Sequence, residues 1–209
     1  MQDRKTVPIA SRRDFLKTSA IAAGSVAAGL SLARSAHAQG KEEIKIGMVG
    51  CGSRCSGAAD ESLKSDGSVR LTALCDIFEG RLKGRQDLFK QLHGERGTVD
   101  DDHCFLGFDG YKNVIDSVDV VLIACASKFH PMYLEAAVKA GKHVFVEKPH
   151  GIDPKGIKRV EAACALAKEK GLSVMSGLQS RWSPGWQETM KRIHDGAIGD
   201  IVAMQSMFL

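Results

Sequence analysis

Apolar residues from residue 43 onward recur in short runs that alternate with longer amphipathic stretches. Several runs have the length and the bounding turns of β-strands, and the run 118–124 is apolar except for Asp119, as is typical of a parallel strand covered on both faces. The predicted strands are 43–49, 69–75, 118–124, 143–146 and 172–175, with a short additional strand around Phe105 after a surface loop.

Helix signals lie between the strand-like runs. One helix begins near Pro131 and ends at Gly141, and a second has Asp153 as its N-cap, Pro154 in its first turn and Gly171 after its end. Strands that alternate with helices in this way predict an α/β fold with a doubly wound parallel sheet. The residues expected on the buried face of the second helix are Ile157, Val160, Cys164 and Ala167.

Residues 1–38 have the layout of an export signal. The motif Ser-Arg-Arg-x-Phe-Leu-Lys at 11–17 resembles the twin-arginine signal, an uncharged run follows over 18–33, and Ala36-His37-Ala38 supplies a small-residue cleavage pattern. The uncharged run is too short for a stable membrane span. We therefore expect cleavage after Ala38, passage through the twin-arginine export machinery and a periplasmic location.

Composition and charge narrow the range of partners. The 209 residues are 44% hydrophobic and 26% charged, which is typical of a globular protein. The formal charge of +4 arises wholly within residues 1–38, which hold six of the 29 basic and two of the 25 acidic residues. The remainder is neutral, so the sequence does not support a nucleic-acid partner.

A glycine-rich turn, Gly-Cys-Gly-Ser-Arg-Cys at 50–55, directly follows the first predicted strand. In a dinucleotide-binding unit the first glycine permits a tight turn, and the second lets the backbone approach a pyrophosphate at a helix N-terminus. By itself such a turn is also compatible with a purely structural loop. The candidate cofactor-binding residues of the turn are Gly50, Gly52, Ser53 and Arg54.

Six cysteines follow Ala38, and most are expected to be small core residues. Cys55 occupies the third glycine position of the turn, which predicts looser packing of the helix on the strand, with Gly57 as a partial substitute. Cys51 and Cys55 lack a second cysteine or histidine pair at ligand spacing, so no metal site is expected. Because the twin-arginine route carries proteins that have already folded in the reducing cytoplasm, we expect no disulfide framework.

Asp76 lies at the end of the second predicted strand, in register with the glycine turn. A carboxylate at this position accepts hydrogen bonds from the adenosine ribose of NAD and repels the 2′-phosphate of NADP. The next residues, Ile77 and Phe78, include no arginine to receive such a phosphate. The sequence therefore favours NAD over NADP, and the alternative is that Asp76 is a solvated turn residue.

The segment 140–149 ends a helix, continues as a short strand and places Glu147, Lys148 and Pro149 at the carboxyl end of that strand. With the glycine turn, Asp76 and the later Gly-Ala-Ile-Gly-Asp-Ile at 196–201, the chain resembles the Gfo/Idh/MocA family of nicotinamide-dependent oxidoreductases over residues 41–209. The resemblance implies that Lys148 is the catalytic residue, which orients a substrate hydroxyl and assists its proton transfer. It also implies a cofactor contact at Glu147 and a cis peptide bond before Pro149.

Further cofactor residues are implied by the same resemblance. Cys125-Ala126 replace the family's Thr-Pro, yet backbone contacts of Ala124 and Cys125 with the cofactor need no particular side chain. His130 keeps a family position, where it either shapes the nicotinamide pocket or caps its helix. Gln179 and Arg181 match positions that approach the cofactor or the substrate.

The implied organisation is a signal peptide over 1–38, a dinucleotide-binding Rossmann domain over 39–180 and the start of a second α/β domain over 181–209. Because the strand-like run 201–208 comes just before Leu209, we expect that the second domain has only begun there. The resemblance implies hydride transfer between nicotinamide and a hydroxyl of a sugar or polyol, and a homo-oligomer for a full-length form.

Two alternatives to the dehydrogenase remain. One is an NAD-assisted glycosidase that oxidises its substrate transiently, although glycosidase relatives tend to vary the Glu-Lys-Pro turn that is intact here at 147–149. The other is a non-catalytic dinucleotide-binding protein, which the expected absence of a complete second domain favours and the intact Lys148 and Asp76 disfavour.

Overall fold

Six parallel strands form one sheet in the order β3-β2-β1-β4-β5-β6. The computed structural model describes residues 43–207, so the predicted export signal lies outside the described residues. All six predicted strands are present, with ends that differ by a few residues, and the predicted doubly wound sheet is confirmed. The strands are β1 Ile44–Val49, β2 Val69–Asp76, β3 Cys104–Leu106, β4 Val120–Ile123, β5 His143–Val146 and β6 Val174–Ser176.

Helices connect the strands as the sequence pattern predicts. Asp153 is the N-cap of the long helix after β5, and its Oδ1 accepts a hydrogen bond from the Gly156 N–H at 2.6 Å. Short 3₁₀ turns complete the loop before β3 and the loop after β4. The α-helices within residues 43–207 are α1 Ser53–Ser65, α2 Glu79–His93, α3 Gly110–Ser117, α4 His130–Lys139, α5 Pro154–Glu169, α6 Gln179–Trp182 and α7 Pro184–His194.

The core lies on both faces of the sheet. Met48 and Leu74 pack with residues of α1 and α2 on one face, whereas Val121 and Ile123 pack with residues of α3, α4 and α5 on the other. All four side chains are fully buried. Each such burial stabilises the fold by about 1.5–3 kcal/mol, and together they hold the strand ends that form the candidate site.

The buried face of α5 differs from the predicted one. Ala163 and Ala167 are buried, while Ile157 and Cys164 are exposed. This helix packs closely against α4, and the small residues Ala163 and Ala167 permit that approach, with Val160 packed beside them, so the prediction was correct for Val160 and Ala167. The periodicity was correct, but the predicted membership of Cys164 and Ile157 in the core is wrong.

The apolar run after Ile201 does not form the predicted strand. Residues 201–207 have no regular secondary structure, and Val202 is 95% exposed. A strand needs a neighbouring strand for its backbone hydrogen bonds, and no part of 43–207 pairs with this run. None of the helices in the described part of the chain is long and apolar enough to cross a membrane.

Candidate cofactor site

The turn after β1 lies directly against the loop after β4. Gly50 has a φ of 99°, and a Cβ at this position would lie 3.0 Å from Cys125 Cα. The Gly50 N–H donates to the Cys75 carbonyl at 2.9 Å. Gly50 is therefore required both for the backbone conformation and for the close approach of the two loops.

Asp76 and Arg85 hold the Cys51 backbone from the next strand and helix. The Cys51 N–H donates to Asp76 Oδ2 at 2.7 Å, and Arg85 Nε donates to the Cys51 carbonyl at 3.2 Å. Asp76 Oδ1 accepts from the Phe78 N–H at 2.9 Å, and the residue is only 7% exposed. Asp76 is therefore not a solvated turn residue, and its oxygens retain lone pairs that suit ribose hydroxyls.

The start of α1 has the features of a phosphate site. Its N-cap is Gly52, so no side chain in the described part of the chain caps the first N–H groups. A Cβ at Gly52 would meet no atom within 4 Å, which means that the approach to these amides is open. Because the first amides of a helix carry partial positive charge, this arrangement fits the pyrophosphate of a dinucleotide.

Cys55 does not loosen α1. The residue is fully buried, and its Sγ donates to the Leu122 carbonyl at 3.5 Å. A Cβ at Gly57 would be 3.6 Å from Arg54 Nη1, an ordinary contact, so Gly57 does not substitute for a missing glycine. Both expectations were wrong, because a thiol is small enough to pack between helix and sheet.

The six cysteines are unpaired, and three of them belong to the core. Cys51, Cys55 and Cys75 are buried, whereas Cys164 is exposed. Burial raises the pKa of Cys75 to about 12 and that of Cys125 to about 12, so these thiols are protonated at neutral pH. Within residues 43–207, no group of three or more potential metal ligands comes together.

A cleft at the carboxyl edge of the sheet brings together five of the eleven predicted site residues. Its far wall is aromatic: the rings of Phe129 and Tyr133 stack with centroids 5.8 Å apart, and Tyr111 lies 4.2 Å from Tyr133. These aromatic residues were not predicted as part of the site, although the i, i+4 spacing of Phe129 and Tyr133 indicates that they lie on one face of a helix. The predicted residues that line the cleft are Gly50, Gly52, Asp76, Ala124 and Cys125.

Arg81 also lines this cleft. Its guanidinium lies 4.9 Å from the centroid of the Phe78 ring, in the first turn of α2. The prediction from sequence rested on Ile77 and Phe78, the two residues after Asp76, neither of which is an arginine. The helix returns Arg81 to the edge of the same cleft, which weakens the argument against NADP.

Lys148 is exposed at the carboxyl end of β5, and the peptide bond between Lys148 and Pro149 is cis, as expected. Behind it, the ring of His130 joins two loops: Nδ1 is 2.9 Å from the Pro149 carbonyl and Nε2 is 3.0 Å from the Cys125 carbonyl. Burial lowers the pKa of His130, while hydrogen bonds to these carbonyls oppose that shift. His130 makes no capping bond, so the capping alternative is wrong, and its ring instead holds the Cys125 loop to the Glu-Lys-Pro turn.

Arg54 and Gln179 lie in a neighbouring cleft beside Gly177. Arg54 Nε donates to Glu147 Oε1 at 2.5 Å, and Glu147 is only 4% exposed. The structure therefore brings Arg54 and Glu147 to each other, and it places neither in the cleft of Gly50 and Asp76.

One further predicted residue, Arg181, and one overlooked residue, His150, lie outside both clefts. Arg181 is exposed on α6, close in sequence to Gln179. His150, which the sequence analysis did not consider, places Nε2 2.8 Å from Ser176 Oγ and so ties the Glu-Lys-Pro turn to β6.

The family model Gfo/Idh/MocA, described as an oxidoreductase family with an NAD-binding Rossmann fold, matches residues 44–178. The chain belongs to this family. The sequence resemblance is thereby confirmed, together with the Rossmann fold that it implied.

Individual members of the family show how much of the chain is comparable. An inositol 2-dehydrogenase/D-chiro-inositol 3-dehydrogenase of Lactiplantibacillus plantarum is 31% identical over 165 residues, covering 77% of this chain and 42% of the relative. A glycosyl hydrolase family 109 protein of Solibacter usitatus is 32% identical over 157 residues, covering 66% of this chain and 33% of the relative.

Among solved structures, a scyllo-inositol dehydrogenase of Lactobacillus casei with bound NAD(H) and scyllo-inositol has a TM-score of 0.56 and 27% identity. The match covers 75% of this chain and 42% of that chain. The Gfo/Idh/MocA chain therefore spans less than half the length of these relatives.

Proposed function

We propose that the chain binds NAD along the carboxyl edge of its sheet and that Lys148 assists hydride transfer between nicotinamide and a hydroxyl of a sugar or polyol. The observation that carries this proposal is the open start of α1 at Gly52 beside the buried carboxylate of Asp76. These groups suit the pyrophosphate and the ribose of a dinucleotide. Lys148 follows β5 at the same edge of the sheet, and β5 is two strands away from β1, which leads into α1.

Different residues would bind the cofactor and transfer the substrate proton. Bound NAD would supply the hydride acceptor. Asp76 would accept hydrogen bonds from the ribose, and the first amides of α1 would donate to the pyrophosphate. The Lys148 Nζ would contact the substrate hydroxyl and hold its proton as the hydroxyl carbon is oxidised. His130 would keep the two loops that flank this position in contact.

A direct test combines NAD binding with turnover. We expect calorimetry to show NAD binding to the purified chain, and reduced nicotinamide to form with an inositol or a related polyol when the substrate-binding part is present. Lys148→Ala should remove turnover and leave NAD affinity within about threefold, because the lysine handles the substrate proton. Lys155→Ala, an exposed lysine on α5, is the matched control. Absence of NAD binding would contradict the proposal.

A second candidate is an NAD-assisted glycosidase, which the similarity to the glycosyl hydrolase family 109 protein favours. Such an enzyme would return the hydride to its substrate. It would therefore release nitrophenol from a nitrophenyl glycoside without accumulating reduced nicotinamide. A dehydrogenase would accumulate reduced nicotinamide and leave the glycoside intact. The intact Glu-Lys-Pro turn at 147–149 supports the dehydrogenase.

We further propose export by the twin-arginine machinery and function in the periplasm. Support comes from Arg12 and Arg13 in the motif at 11–17 and from the cleavage pattern at 36–38. Cell fractionation should recover protein cleaved after Ala38 in the periplasm. Replacing Arg12 and Arg13 by lysine should retain the protein in the cytoplasm, whereas Arg4→Lys should not. Unchanged export of the double variant would contradict this route.

A further inference from the structure

The carboxylate of Glu147 is buried where three elements meet. Its Oε1 accepts from Arg54 Nε of α1 at 2.5 Å, and its Oε2 accepts from the Lys148 N–H at 3.1 Å. Glu147 itself directly follows β5 and is 4% exposed. A buried carboxylate is stable only when a cation and hydrogen-bond donors compensate its charge, and these two contacts supply both.

Gly177, just after β6, provides the space for this carboxylate. A Cβ at Gly177 would lie 2.8 Å from Glu147 Oε2 and closer still to Oε1 and Cδ. Any other residue would displace the Glu147 side chain. The position of the carboxylate is therefore set from β6 as well as from α1.

Arg54 connects this arrangement to the phosphate site. It is the second residue of α1, whose first turn is the candidate pyrophosphate site, and its side chain is 32% exposed. Its guanidinium also lies 5.9 Å from the centroid of the Phe145 ring on β5. Arg54 and Glu147 thus link the first turn of α1 to the backbone of Lys148 through two successive hydrogen bonds.

We propose that Arg54, Glu147 and Gly177 form a brace that positions Lys148 relative to the glycine turn. The inference rests on the proposed function of Lys148. Arg54 and Glu147 are then positioning residues whose polar groups face each other, whereas the sequence predicted both as ligands of the cofactor. Loss of any member of the brace should release the Lys148 backbone, even though Arg54 and Gly177 make no hydrogen bond to it.

The first test measures hydrogen exchange of the Lys148 amide by NMR in the NAD-free chain. Arg54→Met and Gly177→Ala should each accelerate exchange of this amide about tenfold or more, because both disturb its carboxylate acceptor. Neutralising the stranded carboxylate in the double variant Arg54→Met, Glu147→Gln should return the rate at least halfway to that of the wild type. Unchanged exchange in Arg54→Met would overturn the brace.

Two controls belong to this measurement. Arg70→Met removes the ion pair between Arg70 and Glu43. The Arg70 side chain is 30% exposed, close to the value for Arg54, and its loss should leave exchange of the Lys148 amide unchanged. The Lys45 N–H, which donates to Asp119 Oδ2 at 2.9 Å, should exchange at the wild-type rate in every variant. Acceleration at Lys45 as well would show general destabilisation and would overturn the brace.

The second test asks whether the brace positions the Lys148 side chain. At saturating NADH, Lys148→Met should shift the emission of reduced nicotinamide, and Arg54→Met should reproduce at least half of that shift. A variant that changed only overall stability would alter affinity and leave the emission of the saturated complex unchanged. Wild-type emission in Arg54→Met would overturn the positioning role.

The two proposals fail in different ways. A wild-type chain that does not bind NADH would refute the proposed function, and with it any positioning role, whatever the amide shows. A chain that binds NADH and shifts its emission in Lys148→Met, but whose Arg54→Met variant has a normal Lys148 amide, would refute the brace alone.

Discussion

Around β1 and β2, the groups proposed to bind the cofactor phosphates are backbone amides of α1, whereas at the end of β5 the proposed functional group is the exposed side chain of Lys148. In the first region, Asp76 and Arg85 hold the Cys51 backbone from either side, and Gly52 leaves the amides of α1 open. In the second region, Glu147 holds the Lys148 N–H from behind.

This difference explains which departures from the family pattern the molecule tolerates. Cys55 and Cys125 replace other residues in the first region and in the adjoining loop, yet the backbone there keeps its contacts. A backbone amide donates to a phosphate whatever its side chain, whereas proton transfer needs a group of one chemical type. We therefore expect the first region to control cofactor affinity and the second to control chemistry.

The largest expected effect is at Gly52. Gly52→Ala should raise the Kd for NAD about 100-fold, roughly 2.7 kcal/mol, because its Cβ would enter the space through which a pyrophosphate reaches the amides. The φ of −78° is allowed for alanine, so the free energy of unfolding should change by less than about 1 kcal/mol. Gly67→Ala, also in open space, is the control in calorimetry and urea unfolding. Normal NAD affinity in Gly52→Ala would contradict the expectation that the open backbone at the start of α1 controls cofactor affinity.

Asp76→Ala should act on both affinity and stability. We expect about a tenfold higher Kd for NAD and a loss of about 1–2 kcal/mol in unfolding free energy, because the Cys51 N–H loses its acceptor. Asp119→Ala removes an exposed carboxylate that accepts from the Lys45 N–H at the opposite edge of the sheet. It should cost less stability than Asp76→Ala and leave affinity unchanged, and an equal loss of affinity in both variants would contradict a specific role.

His130 links the two regions and should make stability depend on pH. Because burial lowers its pKa in the folded protein, the unfolded chain binds its proton first as the pH falls below about 6.5. This group should therefore destabilise the fold by at most about 1.4 kcal/mol per pH unit in that range and have no such effect at higher pH. Urea unfolding at pH 7.5 and 5.5 should show a smaller pH dependence for His130→Asn than for the wild type. Equal slopes would show that His130 is not protected from protonation.

The smallest expected effect is at Arg81. Arg81→Ala should weaken binding of NADP about fivefold, near 1 kcal/mol for an exposed charge pair, and leave NAD affinity within about twofold. The matched control is Lys83→Ala, an exposed cation on the same helix. An equal loss for both cofactors would show that Arg81 contacts the shared part of the dinucleotide and not a 2′-phosphate.

Local patterns along the chain were sufficient for the sheet and for the first region of the site. Strand alternation, the glycine turn and the Asp153 cap each involve residues a few positions apart, and the structure confirms all three. The face of α5 was harder to predict, because its contact stripe depends on how closely α4 approaches. The exposed run after Ile201 shows the same limit, since a strand exists only when a neighbour pairs with it.

The amino-acid sequence alone determined the order of strands and helices, the backbone freedom at Gly50 and the presence of Asp76 and Lys148 at strand ends, because these are properties of short segments. Tertiary structure alone decided that Arg54 pairs with Glu147, that Arg81 reaches the cleft and that His130 joins the Cys125 and Pro149 carbonyls. Arg54 and Glu147 are 93 residues apart in the chain. Their contact follows from the neighbouring positions of β1, β4 and β5 in the sheet, which no local pattern specifies.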